Sequence, residues 1–162
     1  MRSVEQEASD VLNPVTGQPV AGGNDLLVTI GSAYSNHLVK YLEEERIAPV
    51  YQHNGGGTVP SFQFRHSGND ALLASTPVDT ESDTNGNFLV EIVRDPKTGT
   101  LILVAYGYWA GGSAAAGWFV GNRVLPALST FTDSWYIYRW ASDNADPAPD
   151  DADTFSLIAS GN

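Results

Sequence analysis

Five aspartates, Asp143, Asp146, Asp150, Asp151 and Asp153, fall within eleven residues of this chain. Carboxylate oxygens gathered on one loop are the ligands calcium prefers, which makes the segment a candidate metal site with calcium as its cofactor. The spacing is not that of an EF-hand: no glycine stands at the required turn, and Pro147 and Pro149 stiffen the loop. A solvated acidic segment without a metal has the same composition.

Gly111-Gly112-Ser113-Ala114-Ala115 approximates the nucleophile elbow of serine hydrolases, with alanine in the last place. In an α/β-hydrolase the histidine follows the serine, whereas His37, His53 and His66 all precede Ser113. The hydroxyl is therefore expected to cap a helix, and no residue is assigned a catalytic role. The glycine loops near Gly31 and Gly107 carry no basic residue and spell no phosphate-binding motif, so turns and close packing account for them.

Aromatic residues crowd the second half of the chain: Trp109, Trp118, Trp135 and Trp140, with Tyr106, Tyr108, Tyr136 and Tyr138. Alternation along Trp135–Trp140 puts Trp135, Ile137 and Arg139 on one face of a strand and Tyr136, Tyr138 and Trp140 on the other. One face is expected to pack in the core. The other suits a subunit contact or a platform on which a sugar stacks.

The elements that must position these residues follow from pattern. Leu26–Ile30 and Leu101–Tyr106 are near-continuous apolar runs, as in strands covered on both faces. Each runs through a glycine into a helical period, one capped by Ser35 and carrying Leu38, Val39 and Leu42, the other starting near Ser113 and ending by Pro126. Asn87–Arg94 and Thr100–Tyr106 flank Asp95-Pro96-Lys97-Thr98-Gly99, a turn that predicts a β-hairpin. Ser61–Arg65 alternates as a half-exposed strand, residues 66–86 read as irregular, and Thr154–Ala159 reads as a last short strand. The expected fold is thus α/β: a single mixed β-sheet with two covering helices and a central β-hairpin. Residues 1–24 read as an N-terminal arm or linker, and 25–162 as one domain with an acidic loop at 141–153.

With 162 residues, 17.3 kDa and no cysteine, the chain has room for one core and none for a disulfide or a cysteine-ligated metal. Nineteen acidic against eight basic residues give a net charge of −11, which opposes nucleic acid and anionic lipid as partners and does not disfavour cations. No segment reaches the ~20 apolar residues of a membrane span.

The strand, glycine, loop, asparagine and helix of Leu26–Leu42, followed by the turn-linked strand, glycine, loop, serine and alanine cluster of Val90–Ala116, resemble domains of archaeal surface-layer proteins. Gly31 and Asn36 match the first unit of that pattern, and Gly107, Ser113, Ala115 and Ala116 the second, over roughly residues 25–125. Ser32-Ala33 stands where the family has Gly-Pro. The resemblance implies a non-catalytic, self-associating structural module of an extracellular cell-surface assembly, with other envelope proteins as partners and any signal peptide outside this stretch. A carbohydrate- or calcium-binding surface module is the alternative, and a serine hydrolase the next.

Overall fold

The computed structural model describes residues 11–20 and 26–162. Residues 1–10 and 21–25, which hold most of the expected arm, lie outside it. Its centre is the expected hairpin, β5 (Asn85–Arg94) and β6 (Leu101–Gly107), closed by a turn in which Gly99 takes φ +77°. Strand β1 (Leu26–Ile30) pairs in parallel with β6, β7 (Trp135–Ala141) pairs antiparallel with β5, and β8 (Thr154–Gly161) pairs antiparallel with β7. The result is a five-stranded mixed sheet ordered β1-β6-β5-β7-β8.

The expected single sheet is corrected by a second one, three antiparallel strands ordered β2 (Val50–Gly55), β3 (Ser61–His66) and β4 (Leu72–Pro77). Strand β4 lies inside the stretch expected to be irregular. Its Leu72-Leu73-Ala74-Ser75-Thr76 sequence buries Ala74 and Thr76 alone, too few apolar positions to stand out. Strand β2 is polar over Gln52-His53-Asn54 and becomes a strand through pairing with β3.

The central strands of the larger sheet, β5 and β6, are buried on both faces. One face meets the smaller sheet and α1 (His37–Glu44), with Leu38, Leu42, Val50 and Phe64 packed against Leu89, Val104 and Tyr106. The other meets α2 (Ala110–Phe119), whose Ala115, Ala116 and Phe119 cover Phe88, Val90, Leu103 and Ala105. Gly107 sets the distance to α2: a Cβ there would run into the backbone carbonyl carbon of Gly112. Helical turns continue past α2 through Val120–Val124 and Leu125–Thr130, with Pro126 in the first turn of the last, rather than stopping at the proline.

Both expected caps are displaced. Asn36, not Ser35, caps α1: its Oδ1 accepts from the amides of Leu38 at 3.0 Å and Val39 at 3.3 Å. Its Nδ2 donates to Thr29 Oγ1 at 2.6 Å and to the Ile30 carbonyl at 3.2 Å, tying the helix start to the end of β1. Gly31, at φ +114°, turns the chain between them. Helix α2 begins at Ala110, three residues before the expected point at Ser113, because Gly111 and Gly112 pack as helix residues against the backbone near Ser82 and Asn87. Residues 11–20 form a turn bridged between Leu12 and Pro19 and seated on α1, where a Cβ on Gly17 would meet the His37 carbonyl.

Asn36→Ala removes the cap and the β1 link together and should cost about 1–2 kcal/mol in urea denaturation. Asn36→Asp keeps the acceptor and loses only the two donations, so its loss should be clearly smaller. Equal losses would show that the link to β1 alone matters and that the cap contributes nothing.

Candidate functional site

The acidic loop is organised around Asp153, a carboxylate buried at the foot of β8. It accepts from Trp140 Nε1 at 2.8 Å, from the Asp150 amide at 3.0 Å and from the Asp143 amide at 3.2 Å. Burial alone would raise its pKa, but these three donors hold it below the ordinary value. Asp143, Asp150 and Asp153 each bring a carboxylate oxygen within 4.8 Å of the others. Asp146 and Asp151 do not join them: Asp146 accepts from the Ala148 amide, and Asp151 pairs with Arg123 at 2.8 Å. Of the five aspartates read from sequence as candidate ligands, the structure therefore brings three together, one of which already serves the fold.

The aromatic face of β7 is core, not platform. Trp140 is 0% exposed, and Tyr138 lies in a ring cluster with Phe88 and Phe119. Phe155 of β8 closes that cluster and stacks on Trp118 at 5.2 Å. The face of Tyr138 and Trp140 is thus covered internally by α2 and β8, which leaves it neither for a subunit contact nor for a sugar platform. Ser113 is likewise inside α2, where its hydroxyl donates to the Gly107 carbonyl at 3.3 Å and accepts from the Gly107 amide at 3.2 Å. It fastens the helix to the end of β6.

The structure adds a constellation that sequence reasoning missed. Glu91, in the middle of β5, is 0% exposed and faces the layer between the two sheets. One of its oxygens, Oε2, accepts from the Val50 amide at 3.3 Å, while the other, Oε1, has no partner. Beside it stands Glu43 of α1, whose Oε1 accepts from Tyr106 Oη at 2.5 Å and whose carboxylate is also bonded by the Gln52 backbone. Gln52 Oε1 is buried and unpartnered as well. Glu43 forms part of the wall of two clefts of about 490 and 460 Å³, the first lined also by Arg46, Tyr51 and Asp70, the second by Tyr34, His37, Lys40 and Gln52. The one sequence signal was a charged residue inside the apolar run Phe88-Leu89-Val90-Glu91-Ile92-Val93.

These carboxyls resist ionisation. Burial pushes Glu43 up to about 7, against the relief given by Tyr106 and Gln52. Glu91 is raised well above the ordinary range by burial and then by the charge of Glu43.

No protein-family model, curated protein or solved structure matches the chain. The site is therefore read from its own chemistry.

A carboxyl whose pKa rises on folding binds its proton more tightly in the native state, so native stability falls as pH climbs above the unfolded value. With divalent cations chelated, stability should decline from pH 4.5 toward pH 7 as Glu43 titrates, by up to about 1.4 kcal/mol per pH unit for each such group. Below the ordinary aspartate value the sign reverses, because Asp153 must then be protonated and loses its three donors. Denaturation midpoints across pH check both limbs; Glu91→Gln, which keeps an acceptor for Val50, should flatten the upper one and leave the lower.

Proposed function

We propose that this chain is a non-catalytic structural module of an extracellular, self-associating cell-surface assembly of the surface-layer kind. The observation that carries the reading is the pair of open edges of the five-stranded sheet. Strands β1 and β8 contain no charged residue, in a chain of net charge −11. Among the described residues each pairs on one side only. Val28 and Ile30 on β1 are 44% and 49% exposed, and Leu157 on β8 is 54% exposed. Sheet edges are ordinarily blunted by charge, proline or burial because bare ones recruit other chains.

The two edges are complementary in direction and in face. Strand β1 runs with β6, and β8 runs opposite to it through the succession of antiparallel pairs. Copies related by translation would therefore set β8 of one beside β1 of the next as an antiparallel ladder. Val28 and Ile30 pair with Leu103 and Ala105, and Leu157 with Tyr138, so all three side chains lie on the α2 face and would form one apolar stripe. A head-to-tail contact of this kind does not close on itself and extends into a filament or layer. The acidic remainder of the surface keeps other contacts apart.

Val28→Lys should block one edge and Leu157→Lys the other, each leaving the melting temperature nearly unchanged, because both positions are exposed. Electron microscopy and sedimentation should show extended assemblies for the native chain and monomers for either variant. Mixing the two variants should give dimers and nothing longer, since each retains one good edge. Longer assemblies in the mixture, or a native chain that is strictly monomeric at high concentration, would overturn the reading.

The convergence of Asp143, Asp150 and Asp153 favours calcium binding at the loop as a second element. A calcium ion there would brace the connection between β7 and β8. Asp143→Asn combined with Asp150→Asn spares the Asp153 hydrogen bonds; it should lower the melting temperature measured in millimolar calcium and leave that measured in chelator unchanged.

A further inference from the structure

We propose that Glu43, Glu91 and the side-chain oxygen of Gln52 form an interior divalent-cation site, taking calcium, between the two sheets. The three groups come from α1, β5 and β2, in the layer where the smaller sheet and the helix close over β5: the charge of Glu43 acts on Glu91, and Glu43 accepts from the Gln52 backbone. Two of their oxygens, Glu91 Oε1 and Gln52 Oε1, are buried acceptors without a donor. A native interior rarely leaves such atoms unpaired, and each costs about 1–3 kcal/mol. What the cluster lacks is positive charge. The donors that do reach it, Tyr106 Oη and the amides of Val50 and Gln52, bond the other carboxylate oxygens.

A divalent ion answers that lack. Two carboxylates and one divalent cation make a neutral group, the condition under which charges are tolerated in an interior. The donors are all hard oxygens, which favours calcium or magnesium over softer metals. Calcium takes about six to eight oxygens in flexible geometry, and the two clefts that meet at Glu43 admit the waters to complete the shell. Magnesium demands a stricter octahedron than this mixture of helix and strand side chains is built to give. The cations already lining the clefts are engaged elsewhere: Lys40 pairs with Glu44 at 3.7 Å, and the Arg46 charge acts on Asp70 and Tyr51.

Calorimetric titration of the full chain with calcium at pH 8 tests the site, read together with the melting temperature and with terbium emission sensitised by the adjacent Tyr106. The loop is silenced by Asp143→Asn with Asp150→Asn. In that background one calcium per chain should still bind, raise the melting temperature and displace terbium, with magnesium acting more weakly. Adding Glu91→Gln should abolish all three effects while circular dichroism stays native, because glutamine still accepts from the Val50 amide. Should that variant not fold, Gln52→Ala removes the amide oxygen at a partly buried position and should weaken binding in the same sense. Absence of binding in the loop-silenced chain, or binding unchanged by both substitutions, would overturn the proposal and leave protons or water as the partners of these oxygens. Edge-dependent assembly in chelator is unaffected by either result, so the two readings fail separately.

Discussion

Strands β5 and β6 are covered on both faces, and every polar group they carry must find its partner inside the protein. Most do. Asn87 donates its amide to both oxygens of Glu81 at 3.1 Å and its side chain to Thr76, while Arg139 closes the same network from β7. Asp95, at the end of β5, accepts from Tyr41 Oη, from the Lys97 amide and from the Thr98 hydroxyl. These bonds fasten the 78–84 connection, α1 and the hairpin turn to the same pair of strands. Glu91 departs from the pattern, with one donor for two oxygens, and a buried group short of a partner is costly enough to demand a reason.

The same sheet that is closed above and below is open at its sides. Its two faces are sealed by different chemistry. The α2 face is dry and aromatic, filled by Phe88, Phe119, Tyr138, Phe155 and Trp140, whose single polar atom is bonded to Asp153. The exposed apolar side chains of β1 and β8, Val28, Ile30 and Leu157, lie on that face. The acidic loop is tied to it through Asp153 and through the Arg123–Asp151 pair, so the loop holds β8 at its start.

How much of this was legible depended on whether local signals were backed by tertiary ones. The hairpin was readable because the turn chemistry of Asp95–Gly99 and the apolar runs on either side agree. The α1 cap was misplaced by one residue because Ser35 and Asn36 are both good caps, and only the reach of Asn36 to Thr29 decides between them. Strands β2 and β4 were hidden because their pairing with β3, rather than any period of their own, makes them strands. In the acidic loop the residue types were visible and the geometry was not: Asp153 belongs with Trp140, thirteen positions away, a link that spacing among aspartates cannot express. Glu91 was visible as a charge in an apolar strand, but its meaning required the layer above it.

That layer holds all four buried side-chain atoms left without partners among the described residues: Gln52 Oε1, Glu91 Oε1, Tyr108 Oη and Trp135 Nε1. The α2 layer holds none. The asymmetry follows from what covers each face. A helix turns its backbone bonds inward on itself and offers only side chains, so Ala115, Ala116 and Phe119 can make a wholly apolar seal. A sheet edge such as β2 brings free backbone amides as well, and the Val50 amide, turned toward β5, is matched by the carboxylate of Glu91. Once one oxygen of that carboxylate is fixed by β2, the other must lie in the interior beside Glu43. The polar pocket is therefore a consequence of closing a sheet with a second sheet, and it stands on the opposite side of β5 from the face that carries the open edges.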